Sequence, residues 1–380
     1  MSAKGEKFQI SLRELSGALG DLGTLLPLTL GVIAVAGLAP TPIFLGFGIF
    51  YVATALYYRL PIPVQPMKAV AAVMLTTEVT ASGLAASGVI IGLMLLLLGV
   101  TGWISRLARL VPQSVLAGLQ LGLGIALAIV SLELMATEPL VGAITAGLLI
   151  VLLFFPRYPS ALTALLVAVV LGWAMGATRL ELAAVSATIS IPPWPSLQNF
   201  EQAVSVLVVP QLSLTLTNAV LLTALIASDY FGERAAHVTP ARLSITSGLA
   251  NLVLTPFGAL PMCHGAGGLA AHYRFGARSG AAPLFLGLLL IALALWPGNA
   301  GLMTLAAIPA AGLGALLLIA SGELALTKRL FDCKPSCWPV IATTAAVTVW
   351  ADPFWGLLVG SGAELVRQVI VRALTNEARR

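Results

Sequence analysis

Pro61-Ile62-Pro63-Val64-Gln65-Pro66-Met67-Lys68-Ala69 lies in the middle of a strongly apolar region, yet it cannot run through as an ordinary helix. Its three prolines remove amide donors and push the residues before them towards extended backbone, so Pro61 to Gln65 should be strand-like or irregular. A helix is expected from near Pro66, because proline suits a first helical turn and nothing from Met67 to Thr77 opposes helix. The outcome would be a half-helix in hydrocarbon, preceded by irregular backbone that is tolerated only where it is buried in protein or lines a cavity. Free amides at such a helix start favour an anion, and Lys68 adds a full positive charge beside them.

The surrounding chain is of the membrane class: 59% of its residues are hydrophobic and 9% charged, with a mean hydropathy of +1.00. So few charges could not cover a soluble surface of this size. The first residues, Met1 to Lys7, are polar with no cleavage pattern after an apolar stretch, so no removable signal peptide is expected. Cys263, Cys333 and Cys337 form neither a disulfide framework nor a CxxC pair, and no metal site or cofactor is expected.

Apolar runs bounded by turn signals predict an all-α polytopic protein with spans at 15–37, 41–58, 63–78, 84–104, 112–134, 139–155, 159–178, 204–228, 241–257, 261–273, 281–297, 302–324, 338–350 and 353–371. With a cytoplasmic N-terminus, every Lys and Arg except Arg179 and the intramembrane Lys68 falls on the cytoplasmic side, and both chain ends lie inside. The longest stretch between spans, about Arg179 to Glu201, divides them seven and seven. An odd number in each half makes the second half enter from the opposite side, so two halves of one fold would be inverted repeats. The expected organisation is a first repeat over 1–178, an extracytoplasmic linker over 179–203 and a second repeat over 204–380. Two landmarks recur at an offset of roughly 195 residues: Pro66 against Pro261, and Pro112 against Pro309.

The second interrupted segment carries Cys263, His264, Gly265, Ala266, Gly267 and Gly268. Glycines there either bring backbone and amides close to a ligand or serve close helix packing. Two half-helices meeting head to head would aim two positive dipole ends at one anion. Lys68 is expensive at depth and needs a partner, either that anion or Asp21 in Gly20-Asp21-Leu22-Gly23-Thr24. Asp21 could pair with Lys68, accept a hydrogen bond from a protonated substrate, or carry a coupling proton. The offset places Thr217 and Asn218 opposite Asp21, where they would donate to an oxyanion or bond between helices. Glu364 and Arg367, one turn apart, are expected to pair on a helix surface. His237, His264 and His272 show no HExxH or paired-carboxylate pattern, which disfavours an enzyme, and no ring of charges supports a channel.

Gly20-Asp21-Leu22-Gly23-Thr24, Pro63-Val64-Gln65-Pro66-Met67-Lys68-Ala69, Pro261-Met262-Cys263-His264-Gly265-Ala266-Gly267-Gly268 and Phe275-Gly276-Ala277-Arg278-Ser279-Gly280 resemble the signature motifs of the molybdate transporter family related to the sulfate permeases. The resemblance covers nearly the whole chain. It implies the architecture of sulfate and nucleobase permeases: a core of spans 1–4 and 8–11, a gate of spans 5–7 and 12–14, and a substrate site between interrupted helices 3 and 10. On that basis Gln65, Pro66, Met67, Lys68 and the Cys263 to Gly268 turn map onto the site, with Asp21, Gly23, Thr24, Thr217 and Asn218 contributed by spans 1 and 8. It also implies dimerisation through the gate. Only eight residues follow Arg372, so the cytoplasmic regulatory domain usual in sulfate permeases is not expected. The function implied is secondary active transport of molybdate, and of tungstate as its analogue, across the plasma membrane. A sulfate or nucleobase permease is the alternative. Asp21 and His264 permit proton coupling without requiring it. The partners expected are the oxyanion and the lipid bilayer, with no nucleic acid.

Overall fold

The computed structural model describes residues 8–76, 79–155, 158–176, 193, 196–296, 304–351 and 353–377. Helix occupies each of the apolar stretches, as expected where backbone groups must be satisfied locally. Arg179 and most of the linker lie outside the described residues. The helical run that follows α9 in the described residues begins at Leu197, within the stretch expected to be linker, where the Ser196 hydroxyl caps the Asn199 amide.

In chain order, α1 (Leu12–Gly20) and α2 (Leu22–Ala36) meet at a 42° bend at Asp21. Pro27 removes the donor that would bond the Gly23 carbonyl, so α2 is weakest in the turn beside that bend. Then come α3 (Pro40–Tyr58), β1 (Gln65–Pro66), α4 (Lys68–Thr76), α5 (Ala81–Val100), α6 (Trp103–Leu110), α7 (Gln113–Ala136), α8 (Pro139–Leu153) and α9 (Ser160–Ala174). Leu197 to Phe231 is one run: α10 (Leu197–Gln202), a π-helical segment Ala203–Val208, α11 (Val209–Leu214), a second π-helical segment Thr215–Leu222, and α12 (Thr223–Phe231). Pro210 follows the first π segment, where its missing N–H loosens the hydrogen-bond ladder. The rest is α13 (Pro240–Leu254), β2 (Met262–Cys263), α14 (Ala266–Arg274), α15 (Ala281–Ala294), α16 (Ala310–Ala325), α17 (Lys328–Phe331), α18 (Trp338–Trp350) and α19 (Pro353–Glu377).

This is a multi-pass membrane protein. By length and composition, four described helices can cross a bilayer, five if the α1–α2 pair is one span, and four more are apolar but shorter. That fewer helices than the fourteen expected segments are long enough to cross has a physical cause. Two segments are half-helices, the Leu197–Phe231 run is broken by π turns, and bends and caps shorten others below the roughly 20 residues a straight span needs.

Small residues set the closest helix approaches. Along α3 and α15, a Cβ on Gly48 would stand 2.8 Å from the Gly287 carbonyl, and one on Gly287 would stand 2.8 Å from the Gly48 carbonyl. The α5–α13 contact repeats this with Gly92 and Gly248. Elsewhere α7 packs on α16, α18 and α19, and α16 also packs on α8. Large apolar side chains such as Leu97, Ile129, Leu132 and Val369 point outwards, as a lipid-facing surface requires. Glu364 and Arg367 form the expected pair, bidentate at 2.8 and 2.6 Å, and Ser114 of α7 donates to Glu364 at 2.8 Å.

Candidate functional site

The two interrupted segments cross as the two shortest strands a chain can pair. Gln65 lies opposite Cys263 and Pro66 opposite Met262, antiparallel, and the Met67 amide donates to the Pro261 carbonyl at 3.0 Å. Pro66 therefore belongs to the strand, and its missing N–H disqualifies it from little there, whereas the helix expected to open at Pro66 starts at Lys68. The strand pair needs outside help to satisfy its buried polar groups. Asn251 of α13 supplies it. Its amide nitrogen donates to the Met262 carbonyl at 2.6 Å and its oxygen accepts the Met262 amide at 2.9 Å. Asn251→Leu should therefore strand two buried backbone groups, at roughly 1–3 kcal/mol each, and thermal melting of the purified protein should fall by several degrees. Unchanged melting would mean that the clamp is dispensable.

Asp21, fully buried at the α1–α2 bend, accepts from the Tyr51 hydroxyl and, at 2.6 Å, from the Gln65 side-chain amide. His272 Nε2 lies 3.5 Å away. Lys68 makes no hydrogen bond to it: the Lys68 Nζ is buried without a hydrogen-bond partner, within electrostatic reach of both Asp21 and Cys263. Of the two partners considered for Lys68, an anion or Asp21, the carboxylate takes its hydrogen bonds from Tyr51 and Gln65 instead. This Asp21–Tyr51–Gln65 cluster also explains two of the glycines. A Cβ on Gly268 would overlap Gln65 Nε2 and Asp21 Oδ1, and one on Gly265 would overlap Gln65 Oε1. Gly23 serves packing, since a Cβ there would meet the Leu313 carbonyl of α16 at 2.9 Å. A Cβ on Gly267 would stand 2.8 Å from Leu127 Cδ1 of α7.

His264 is engaged on both sides of its ring. Nδ1 donates to the Pro63 carbonyl at 2.8 Å, and Nε2 lies 2.9 Å from the Thr246 hydroxyl, in hydrogen-bond contact. Tyr58 in turn lies 3.0 Å from that hydroxyl. His264 is therefore a brace between the Pro63 turn and α13. Met67 is buried in the core, and Ala266 is buried in the first turn of α14.

The two half-helix starts are unlike. At α4 the Ala69 and Val70 amides are already occupied, by Gln211 Oε1 at 2.8 and 3.3 Å. At α14, whose N-cap Gly265 supplies no side-chain cap, no side chain among the described residues bonds the first-turn amides of Ala266, Gly267 and Gly268. The expectation of two free amide clusters is thus met at one end only. Thr217 and Asn218 lie in the second π segment, which packs on α13 and α14. Asn218 Oδ1, Gln65 Oε1 and Thr24 Oγ1 are buried without hydrogen-bond partners among the described residues. Gln211 and Asn251 are the site residues that the motifs did not mark. A lone amide side chain in an apolar run was the only available signal for either.

Towards the other end of α14, Tyr273 stacks on Tyr230 at 4.0 Å between ring centres and under the Arg278 guanidinium at 3.8 Å. Arg274 of α14 pairs with Glu323 of α16 at 3.5 Å. A cavity of about 680 Å³ opens there, lined among others by Gln120, Asp229, Tyr230, Tyr273 and Glu323.

The fold recurs in known structures. The transmembrane domain of the cyanobacterial bicarbonate transporter BicA superimposes with a TM-score of 0.62 at 17% identity, over 92% of this chain and 98% of that one. Murine Solute Carrier 26 family member A9, an anion transporter in the inward-facing state, does so at 0.61 and 13% identity, over 98% of this chain and 70% of that one. The fold is therefore that of this class of membrane transporter. Within the class, the chain belongs to the molybdate transporter family: the profile described as "Molybdate transporter of MFS superfamily" matches residues 13–127 and 203–324. Molybdate transporter 2 of Arabidopsis thaliana is 30% identical over 95% of this chain and 88% of its own length. Molybdate transporter 1 of Chlamydomonas reinhardtii is 26% identical over 93% of this chain and 90% of its own.

Proposed function

We propose that this protein is a secondary transporter of molybdate that works by alternating access, with the oxyanion held between the uncapped start of α14 and the Lys68 ammonium. The observation that carries the reading is the buried, unpartnered Lys68 Nζ in the motif that crosses the α14 segment. An ammonium in that state is stabilised by an anion, and amides at a helix start suit the oxygens of a tetrahedral oxyanion. Asp21, itself held by the Tyr51 hydroxyl, fixes the Gln65 side chain and with it the crossing. Gln65, Asn218 and Cys263 complete the surroundings.

The same reading takes the chain as seven-plus-seven inverted repeats. Its support is the pairing of helices: α3 with α15 is mirrored by α13 with α5, and α7 with α18 by α16 with α8. Pro112 and Pro309 both stand at the N-caps of the paired helices α7 and α16. The core is α1 to α5 with Leu197 to Ala294, and the gate is α7 to α9 with α16, α18 and α19. The cavity between α12, α14, α7 and α16 is the cytoplasmic vestibule, and the Arg274–Glu323 pair joins core to gate across it. Residence in the plasma membrane with both ends cytoplasmic rests on the distribution of basic residues. Tungstate is an alternative cargo, a gate-mediated homodimer is the assembly, and Asp21 and His264 permit proton coupling without requiring it.

Uptake of labelled molybdate into proteoliposomes, with unlabelled tungstate, sulfate and uracil as competitors, tests the reading. Saturable uptake suppressed by molybdate and tungstate is expected. Robust sulfate or uracil uptake without molybdate uptake would overturn it, and dependence on an imposed pH gradient tests the coupling ion.

A further inference from the structure

Gln211 stands where an anion would be expected. Its Oε1 takes the Ala69 and Val70 amides at the start of α4, its Nε2 donates to the Thr215 hydroxyl at 2.8 Å, and the residue is 2% exposed. One oxygen receiving two N–H groups of a helix start is the contact an oxyanion oxygen makes there. The next side chain is Lys68, whose buried Nζ has no hydrogen-bond partner, so the charge that would favour an anion at this end is present while a neutral amide fills the place.

We propose that Gln211 is an internal competitor for the oxyanion, holding the α4 amides when the site is empty and leaving them when substrate binds. The inference rests on the anion site proposed above and adds a residue that sets its affinity. Two features allow the exchange. Hydrogen bonds to an ionised acceptor are roughly twice as strong as those to a neutral one, so the anion wins at these amides. Gln211 also sits in the six-residue α11 between two π-helical segments, Ala203–Val208 and Thr215–Leu222, where the backbone register is already irregular and a small shift re-aims a side chain. A fixed cap that merely ties α11 to α4 would use the same hydrogen bonds, and the two roles differ in the sign of their effect on binding.

Calorimetric titration of the purified full chain with molybdate, tungstate and sulfate, for wild type, Gln211→Ala and Gln211→Glu, separates them. Gln211→Ala is expected to bind its oxyanion roughly three- to tenfold tighter, the size of one neutral hydrogen bond no longer given up on binding. Gln211→Glu, which leaves a carboxylate on the amides, is expected to bind at least tenfold weaker while melting no lower than wild type. If wild type binds molybdate and Gln211→Ala binds it equally or more weakly, the competitor is refuted and the transport reading stands. If sulfate but not molybdate binds, and binds tighter to Gln211→Ala, the cargo is wrong and the competitor holds. If no variant binds any of the three, both fall.

Discussion

Lys68→Met is expected to weaken molybdate binding at least tenfold and, at the same time, to raise the melting temperature of the empty protein. The two effects share one cause. A charge-assisted hydrogen bond to bound oxyanion contributes about 1.5–3 kcal/mol, a factor of roughly 10 to 150 in affinity. Without ligand, the same ammonium is buried at its tip and unpartnered, a state that costs several kcal/mol even after relaxation. Methionine keeps the length of the stem and removes both. Calorimetry and thermal melting on one preparation read the pair of effects. Were Lys68 instead a structural partner of Asp21, the variant would melt lower and bind normally. That result would remove Lys68 from the site.

Gly268→Ala should abolish uptake and cost about 1–3 kcal/mol of stability through overpacking. The added carbon would overlap the Gln65 amide and the Asp21 carboxylate and would stand 2.8 Å from Pro63 Cβ. None of these can retreat cheaply. Asp21 is fully buried and held by Tyr51 and Gln65, and Pro63 is held through its carbonyl by His264. Gly147→Ala in α8 and Gly322→Ala in α16 are the controls, because a Cβ there meets nothing within 4 Å. Both should transport as wild type does and melt no lower, since alanine favours helix over glycine by up to about 1 kcal/mol. Wild-type uptake by Gly268→Ala would show that the Gln65–Asp21 contact is not needed.

The interruption at Pro61–Ala69 and its counterpart at Pro261–Gly268 were legible because proline and glycine act locally, through a missing donor and a missing Cβ. The apolar stretches were legible because hydrocarbon admits little but helix. What joins these pieces was not. Asp21 has Tyr51, Gln65 and His272 around it rather than Lys68, a choice made by how α1, α3 and α14 pack. Gln211 caps a helix start 142 positions earlier in the chain, and Asn251 clamps a strand that forms only once its partner has arrived. Glycine in a membrane turn reads equally as space for a ligand or for a neighbour, and at Gly265 and Gly268 the neighbour is a side chain from the other half.

The pairing of Gln65 with Cys263 also constrains how the protein can be made. The two strands are separated by roughly 200 residues, and ribosomes add about 5–20 residues per second, so β1 waits on the order of 10–40 s for its partner. Throughout that interval the Pro61–Met67 backbone and the Lys68 ammonium have to be sheltered from lipid by something other than β2. Helices α1 to α9 are therefore not a finished unit that the later part of the chain joins. They remain an open intermediate at the insertion machinery until β2 and α14 emerge, and a chain cut within the 179–203 stretch should mature only when both fragments are made together.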